Sequence, residues 1–127
     1  MKKILVIDDE EDFCDFLKTN LELRGDYEVI SAFSGKEGIV LAGSERPDLI
    51  LLDIIMPYMN GFEVLKRLRK EDGIKNIPVI MVTARGDDEA MIKALRLHDD
   101  GFIIKPVKLE ELEGKIEDLL GKQKDVG

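Results

Sequence analysis

The feature that most constrains this chain is an alternation. Short, nearly continuous apolar runs are each followed by a longer stretch with helical periodicity. The runs are Ile4–Ile7, Tyr27–Ala32, Asp48–Leu52, Ile77–Val82 and Phe102–Ile104. A strand with one wet face alternates apolar and polar residues, because successive side chains point to opposite faces. Four of these runs do not alternate, which predicts parallel strands covered on both faces. Tyr27–Ala32 is more mixed and is predicted at an edge.

Helices are predicted in the gaps. The first spans about Asp12 to Arg24, where Phe13, Leu17 and Leu21 recur every four residues with Phe16 beside them, and Gly25 suits its C-cap. The second starts at Ser34 with Glu37 three residues on, a capping-box pattern. The third starts at Asn60 with Glu63 and carries Phe62, Leu65 and Leu68. The fourth spans about Asp88 to Leu97, and the fifth carries the stripe Leu109, Leu112, Ile116, Leu119. Strand and helix thus alternate five times, which predicts an α/β fold: a doubly wound parallel sheet with helices on both faces. Right-handed crossovers restrict the topology, and a flavodoxin-like (βα)5 arrangement with strand order 2-1-3-4-5 is expected.

In such a sheet the functional crevice lies beyond the carboxyl ends of the strands. The first strand ends in Asp8-Asp9, the third in Asp53, the fourth in Thr83, and the fifth near Lys105, followed by Pro106. Asp8 and Asp9 can share a site only if the strand has ended by then, since consecutive strand residues face opposite ways. Two like charges about 4 Å apart repel by roughly 4 kcal/mol at an effective dielectric near 20. Carboxylates gathered at one rim therefore need cations or raised pKa values. Lys105 supplies one positive charge, and a divalent ion would supply more. The donors are hard oxygens with no Cys or His among them, which favours Mg²⁺ or Mn²⁺ over zinc. Such a site suits a phosphoryl group, and Asp53 has the chemistry of a nucleophile that forms an acyl phosphate. Thr83 and Lys105 could take phosphoryl oxygens.

Composition narrows the rest. A chain of 127 residues fits one domain and can bury a core without staples. The net charge of −8 argues against a nucleic-acid surface. The apolar run after Lys2 and Lys3 ends at Asp8, too short for a secretory signal, and no run approaches the ~20 residues of a membrane span. The single cysteine, Cys14, excludes an internal disulfide and reads as packing, which suits a reducing cytoplasm.

These segments resemble the receiver domain of two-component response regulators over nearly the whole chain. Val6-Ile7-Asp8-Asp9-Glu10 resembles the acidic pair, and Leu51-Leu52-Asp53-Ile54-Ile55-Met56-Pro57 the phospho-acceptor motif. Met59-Asn60-Gly61-Phe62-Glu63-Val64-Leu65 resembles the segment that follows, Val82-Thr83-Ala84 the switch hydroxyl motif and Lys105-Pro106 the lysine motif. The resemblance implies that Asp53 is phosphorylated, and that Asp9, Asp53 and the Ile55 backbone carbonyl bind Mg²⁺ directly, with Asp8 assisting through water. It implies that Thr83 and Lys105 bind phosphoryl oxygens and that Phe102 is the aromatic switch. The face built by the fourth helix, fifth strand and fifth helix would then change and be read by a partner protein. Ile55 and Arg85 would flank the path of the hydrolytic water, and the apolar Ile55 predicts slow self-dephosphorylation.

His98-Asp99-Asp100-Gly101 departs from the Gly-Ala-Asp-Asp common in the family, which predicts a turn shifted to Gly101. The only histidine, His98, reads as a surface residue, so the phosphodonor is expected to be another protein, a sensor histidine kinase or a histidine phosphotransfer protein. The receiver is expected over residues 1–121, with a short tail over 122–127. The chain leaves no room for an output domain after the fifth helix, so a stand-alone regulator is expected, in motility control or as a relay intermediate. The alternative is a receiver cut from a longer transcription regulator. The chain is not expected to be an enzyme beyond catalysing its own phosphorylation and dephosphorylation.

Rivals fit less well. A phosphatase of the haloacid dehalogenase type needs a second acid two residues after its nucleophile; that position holds Ile55 after Asp53 or Glu10 after Asp8, neither fits well, and a cap domain is lacking. A flavodoxin-like electron carrier needs a phosphate loop where this chain has Asp8-Asp9-Glu10-Glu11-Asp12. A non-phosphorylated pseudo-receiver would have lost one of Asp8, Asp9, Asp53, Thr83 or Lys105, and all are present.

Overall fold

The structure is a computed structural model and describes residues 1–84 and 100–124. The predicted fourth helix, together with Arg85 and His98, lies outside the described residues. The described elements are β1 (Lys2–Ile7), α1 (Glu11–Leu23), β2 (Tyr27–Ala32), α2 (Gly35–Glu45), β3 (Leu49–Asp53), α3 (Gly61–Lys70), β4 (Val79–Thr83), β5 (Phe102–Ile104) and a C-terminal helix (Leu109–Lys124). The strands form one parallel sheet in the order β2-β1-β3-β4-β5. This is the expected α/β arrangement, with β2 at an edge.

The continuous apolar runs have a direct structural cause. Ile4, Val6, Leu49, Leu51, Ile80 and Val82 pack on one side with Cys14, Leu17 and Leu21 of α1 and with Leu112, Ile116 and Leu120 of the C-terminal helix. Leu5, Ile7, Ile50, Leu52, Val79 and Met81 pack on the other with Ala42 of α2 and Val64, Leu65 and Leu68 of α3. Each central strand therefore needs apolar residues at every position. Burying each such side chain contributes about 1.5–3 kcal/mol before chain entropy is counted.

Element ends follow their local signals. Ser34 Oγ accepts the Glu37 N–H at 3.1 Å, and Asn60 Oδ1 accepts the Glu63 N–H at 3.0 Å, so both predicted N-caps are present. Gly25 closes α1 at φ +91°, a conformation that favours glycine. Gly101 precedes β5 at φ +114°, and the end of the predicted fourth helix lies outside the described residues. Three details differ from the sequence expectation. Asp48 precedes β3 and bridges to Lys3 instead, through its N–H and its carboxylate. The fourth strand begins at Val79 because Pro78 has no N–H to donate. In the C-terminal helix the buried stripe is Leu112, Ile116 and Leu120, with Leu119 only half-buried. The outer edge of β2 is blocked at Val29, whose N–H donates to Glu22 and whose carbonyl accepts from Lys18, both at 3.0 Å.

Candidate functional site

The rim of the sheet gathers the residues that the strand ends predict. β1 ends at Ile7, and Asp8 then turns the chain: its N–H donates to the Ala32 carbonyl at 3.0 Å, and its Oδ1 accepts the Glu10 N–H at 2.9 Å. With the strand ended, Asp8, Asp9 and Asp53 each offer a carboxylate oxygen, all within 4.8 Å of one another. Asp8 and Asp53 are buried and Asp9 is exposed.

Asp53 is the last residue of β3 and lies opposite Val82 of β4. The next residue, Ile54, donates to the Val82 carbonyl at 3.0 Å, and its own carbonyl accepts the Gly61 N–H at 2.8 Å. Gly61 is required for this approach. A Cβ there would run into the Asp53 carbonyl oxygen and come within 2.9 Å of Ile54 Cα.

Lys105 enters from β5. Its N–H donates to the Thr83 carbonyl at 2.6 Å, which ties the lysine loop to the end of β4, and its peptide bond to Pro106 is cis. Its Nζ donates to Asp8 Oδ2 at 2.9 Å and to Glu10 Oε1 at 2.8 Å, and lies 4.2 Å from the centroid of the Phe13 ring. Thr83 is buried at the end of β4. Phe102 is half-buried against the α2–α3 side of the core, and Ile55 is exposed on the loop after Asp53.

The electrostatics show an excess of negative charge. Burial pushes the Asp53 carboxyl up from 3.8 to about 7, and the charges of Asp8 and Asp9 push the same way. Lys105 and the Ile55 backbone N–H oppose the rise without cancelling it. Asp8 is also raised, by burial first, against the pull of the Glu10 N–H and Lys105. Burial works against the Lys105 ammonium, yet its hydrogen bonds to Glu10 and Asp8 hold its pKa above the usual value. A hard divalent cation is the species that relieves such a site, and the all-oxygen donor set fits Mg²⁺ or Mn²⁺.

Two neighbours of Lys105 were not assigned to the site from sequence. Glu10 reads as helix-start acidity and Phe13 as part of an apolar stripe. Neither carries a local signal for a lysine so far along the chain.

The family model described as response regulator receiver domain matches residues 4–117. A probable transcriptional regulator, ycf27 of Cyanophora paradoxa, is 43% identical over 119 residues, covering 94% of this chain and 48% of its own. The chain thus spans about half the length of the curated relatives it matches. The crystal structure of a response regulator receiver domain protein from Clostridium thermocellum aligns with a TM-score of 0.89 at 29% identity, covering 100% of both chains. Chemotaxis protein CheY4 of Vibrio cholerae aligns with a TM-score of 0.86 at 30% identity, covering 94% of this chain and 98% of its own. The chain belongs to the response regulator receiver domain family.

Proposed function

We propose that this receiver takes a phosphoryl group onto Asp53 from a phosphohistidine of a sensor histidine kinase or histidine phosphotransfer protein. The observation that carries this reading is the cluster of Asp8, Asp9 and Asp53 oxygens within 4.8 Å, with Lys105 Nζ 2.9 Å from Asp8. An ionised Asp53 oxygen attacks phosphorus, a P–O bond forms, the P–N bond breaks, and the donor imidazole takes up a proton. Asp9, Asp53 and the Ile55 carbonyl would hold Mg²⁺ or Mn²⁺, with Asp8 acting through water. The bound ion would supply the positive charge that keeps Asp53 ionised near neutral pH and offsets charge on the phosphoryl oxygens. The Thr83 hydroxyl and the Lys105 ammonium would hydrogen-bond those oxygens. Catalysis here is limited to the protein's own phosphorylation and dephosphorylation.

Across β4 and β5, Phe102 pairs with Met81 and Ile104 with Thr83. On the family resemblance, Thr83 would move toward a phosphoryl group and Phe102 would turn inward. The face of the fourth helix, β5 and the C-terminal helix is the proposed output, read by a protein partner. The receiver is proposed to comprise residues 1–121, with 122–127 as a short tail whose start continues the C-terminal helix to Lys124, and to work in the cytoplasm. Among the described residues no helix is long and apolar enough to cross a membrane. A second reading, that the domain controls the output of a longer transcription regulator, is favoured by the relatives named as such and matched over about half their length.

The test is incubation with acetyl phosphate and Mg²⁺, followed by intact mass. The expected result is a gain of one phosphoryl group, absent with EDTA and in Asp53→Asn. No gain in the wild type, with Mg²⁺ binding verified, refutes the reading.

A further inference from the structure

We propose that Glu10 is a positioning residue that restrains the Lys105 ammonium in the resting protein, so that phosphoryl binding at Asp53 must displace it. This rests on the reading of Asp53 as acceptor and Lys105 as phosphoryl ligand. The resting place of the ammonium is built on three sides. Asp8 Oδ2 lies at 2.9 Å and Glu10 Oε1 at 2.8 Å, with the Phe13 ring face beneath at 4.2 Å. A cation within about 6 Å of a ring centroid is attracted by the negative face. The Lys105 side chain is 12% exposed, so its stem is already packed and its head is directed. Asp53 acts on it through charge.

To pair with a phosphoryl oxygen on Asp53, the ammonium keeps Asp8 within reach and gives up Glu10. Asp8 is buried and fixed by the Glu10 N–H, whereas the Glu10 side chain is 63% exposed and free to swing into water. Glu10 is thus the contact that yields. Its side chain makes no capping hydrogen bond to α1, so neutralising it leaves the helix start intact.

The probe is beryllofluoride, a tetrahedral phosphoryl mimic, titrated at saturating Mg²⁺ and followed by ¹⁹F NMR. Glu10→Gln is expected to tighten its binding about two- to fivefold, the range set by exposed ion pairs. In a Lys105→Met background the same substitution is expected to change nothing measurable. Mg²⁺ affinity without beryllofluoride is measured in parallel and is expected to weaken or stay level, never to rise. An equal tightening with and without Lys105 overturns the inference, as does no change or a loss of affinity in Glu10→Gln. A wild type that binds no beryllofluoride overturns both this inference and the assignment of Asp53. A wild type that binds it without any effect of Glu10 overturns this inference alone.

Discussion

Asp53→Asn is expected to stabilise the metal-free protein, with a pH dependence that identifies the cause. The folded carboxyl has a pKa of about 7 against an ordinary 3.8, chiefly because it is buried. Between these values the native state binds more protons than the unfolded chain, so stability falls as pH rises. The destabilisation is absent below about pH 4, accumulates up to about pH 7 and is level above it. Each pH unit of that window is worth about 1.4 kcal/mol, which sets a ceiling of about 4 kcal/mol. Water reaches the rim beside the exposed Asp9, and screening reduces the working figure to about 2 kcal/mol. Asparagine keeps the shape and removes the charge. At pH 8 in EDTA the variant should therefore melt about 6–10 °C above the wild type. At pH 4 the two should melt together. Saturating Mg²⁺ should stabilise the wild type by RT ln(1 + [Mg²⁺]/Kd) and close the gap. A variant no more stable than the wild type at pH 8, or a gap of equal size at pH 4, refutes the argument that a buried ionised carboxylate strains this site.

Three further substitutions test other parts of the structure. Gly61→Ala should cost about 1–3 kcal/mol in urea unfolding and slow phosphorylation, because its Cβ meets the backbone of Asp53 and Ile54; unaltered unfolding and rate would contradict that packing. Arg69 donates to the carbonyls of Lys75 and Ile77 and to Asp100, clamping the entry to β4 at the end of the sheet away from the site. Arg69→Ala should lose about 2 kcal/mol of stability while the phosphorylation rate per folded molecule is kept; a rate loss at full stability would reassign the residue. Ile55 is 61% exposed, so Ile55→Asn should leave stability within about 0.5 kcal/mol while shortening the phosphorylated lifetime, and a lifetime that does not shorten would remove Ile55 from the hydrolytic path.

The sequence by itself determined which residues end up at the rim. Strand type was legible because a strand covered on both faces must be apolar throughout, and Ile4 to Ile7 and Leu49 to Leu52 are divided residue by residue between the two sides of the core. The caps at Ser34 and Asn60 were legible because they act within one turn. Asp8, Asp9, Asp53, Thr83 and Lys105 followed from strand ends plus the geometry of parallel sheets. Only the tertiary structure decided how these groups pair. Lys105 meets Asp8 across 97 residues and Glu10 across 95, and sits on Phe13, which periodicity assigns to the core. Only the tertiary structure decided the Asp53 pKa, since burial is its largest cause and depends on what packs over β3 and β4. The physical reason is common to both cases: propensity and periodicity act over a few residues, whereas side-chain partners and desolvation are set by elements brought together from opposite ends of the chain.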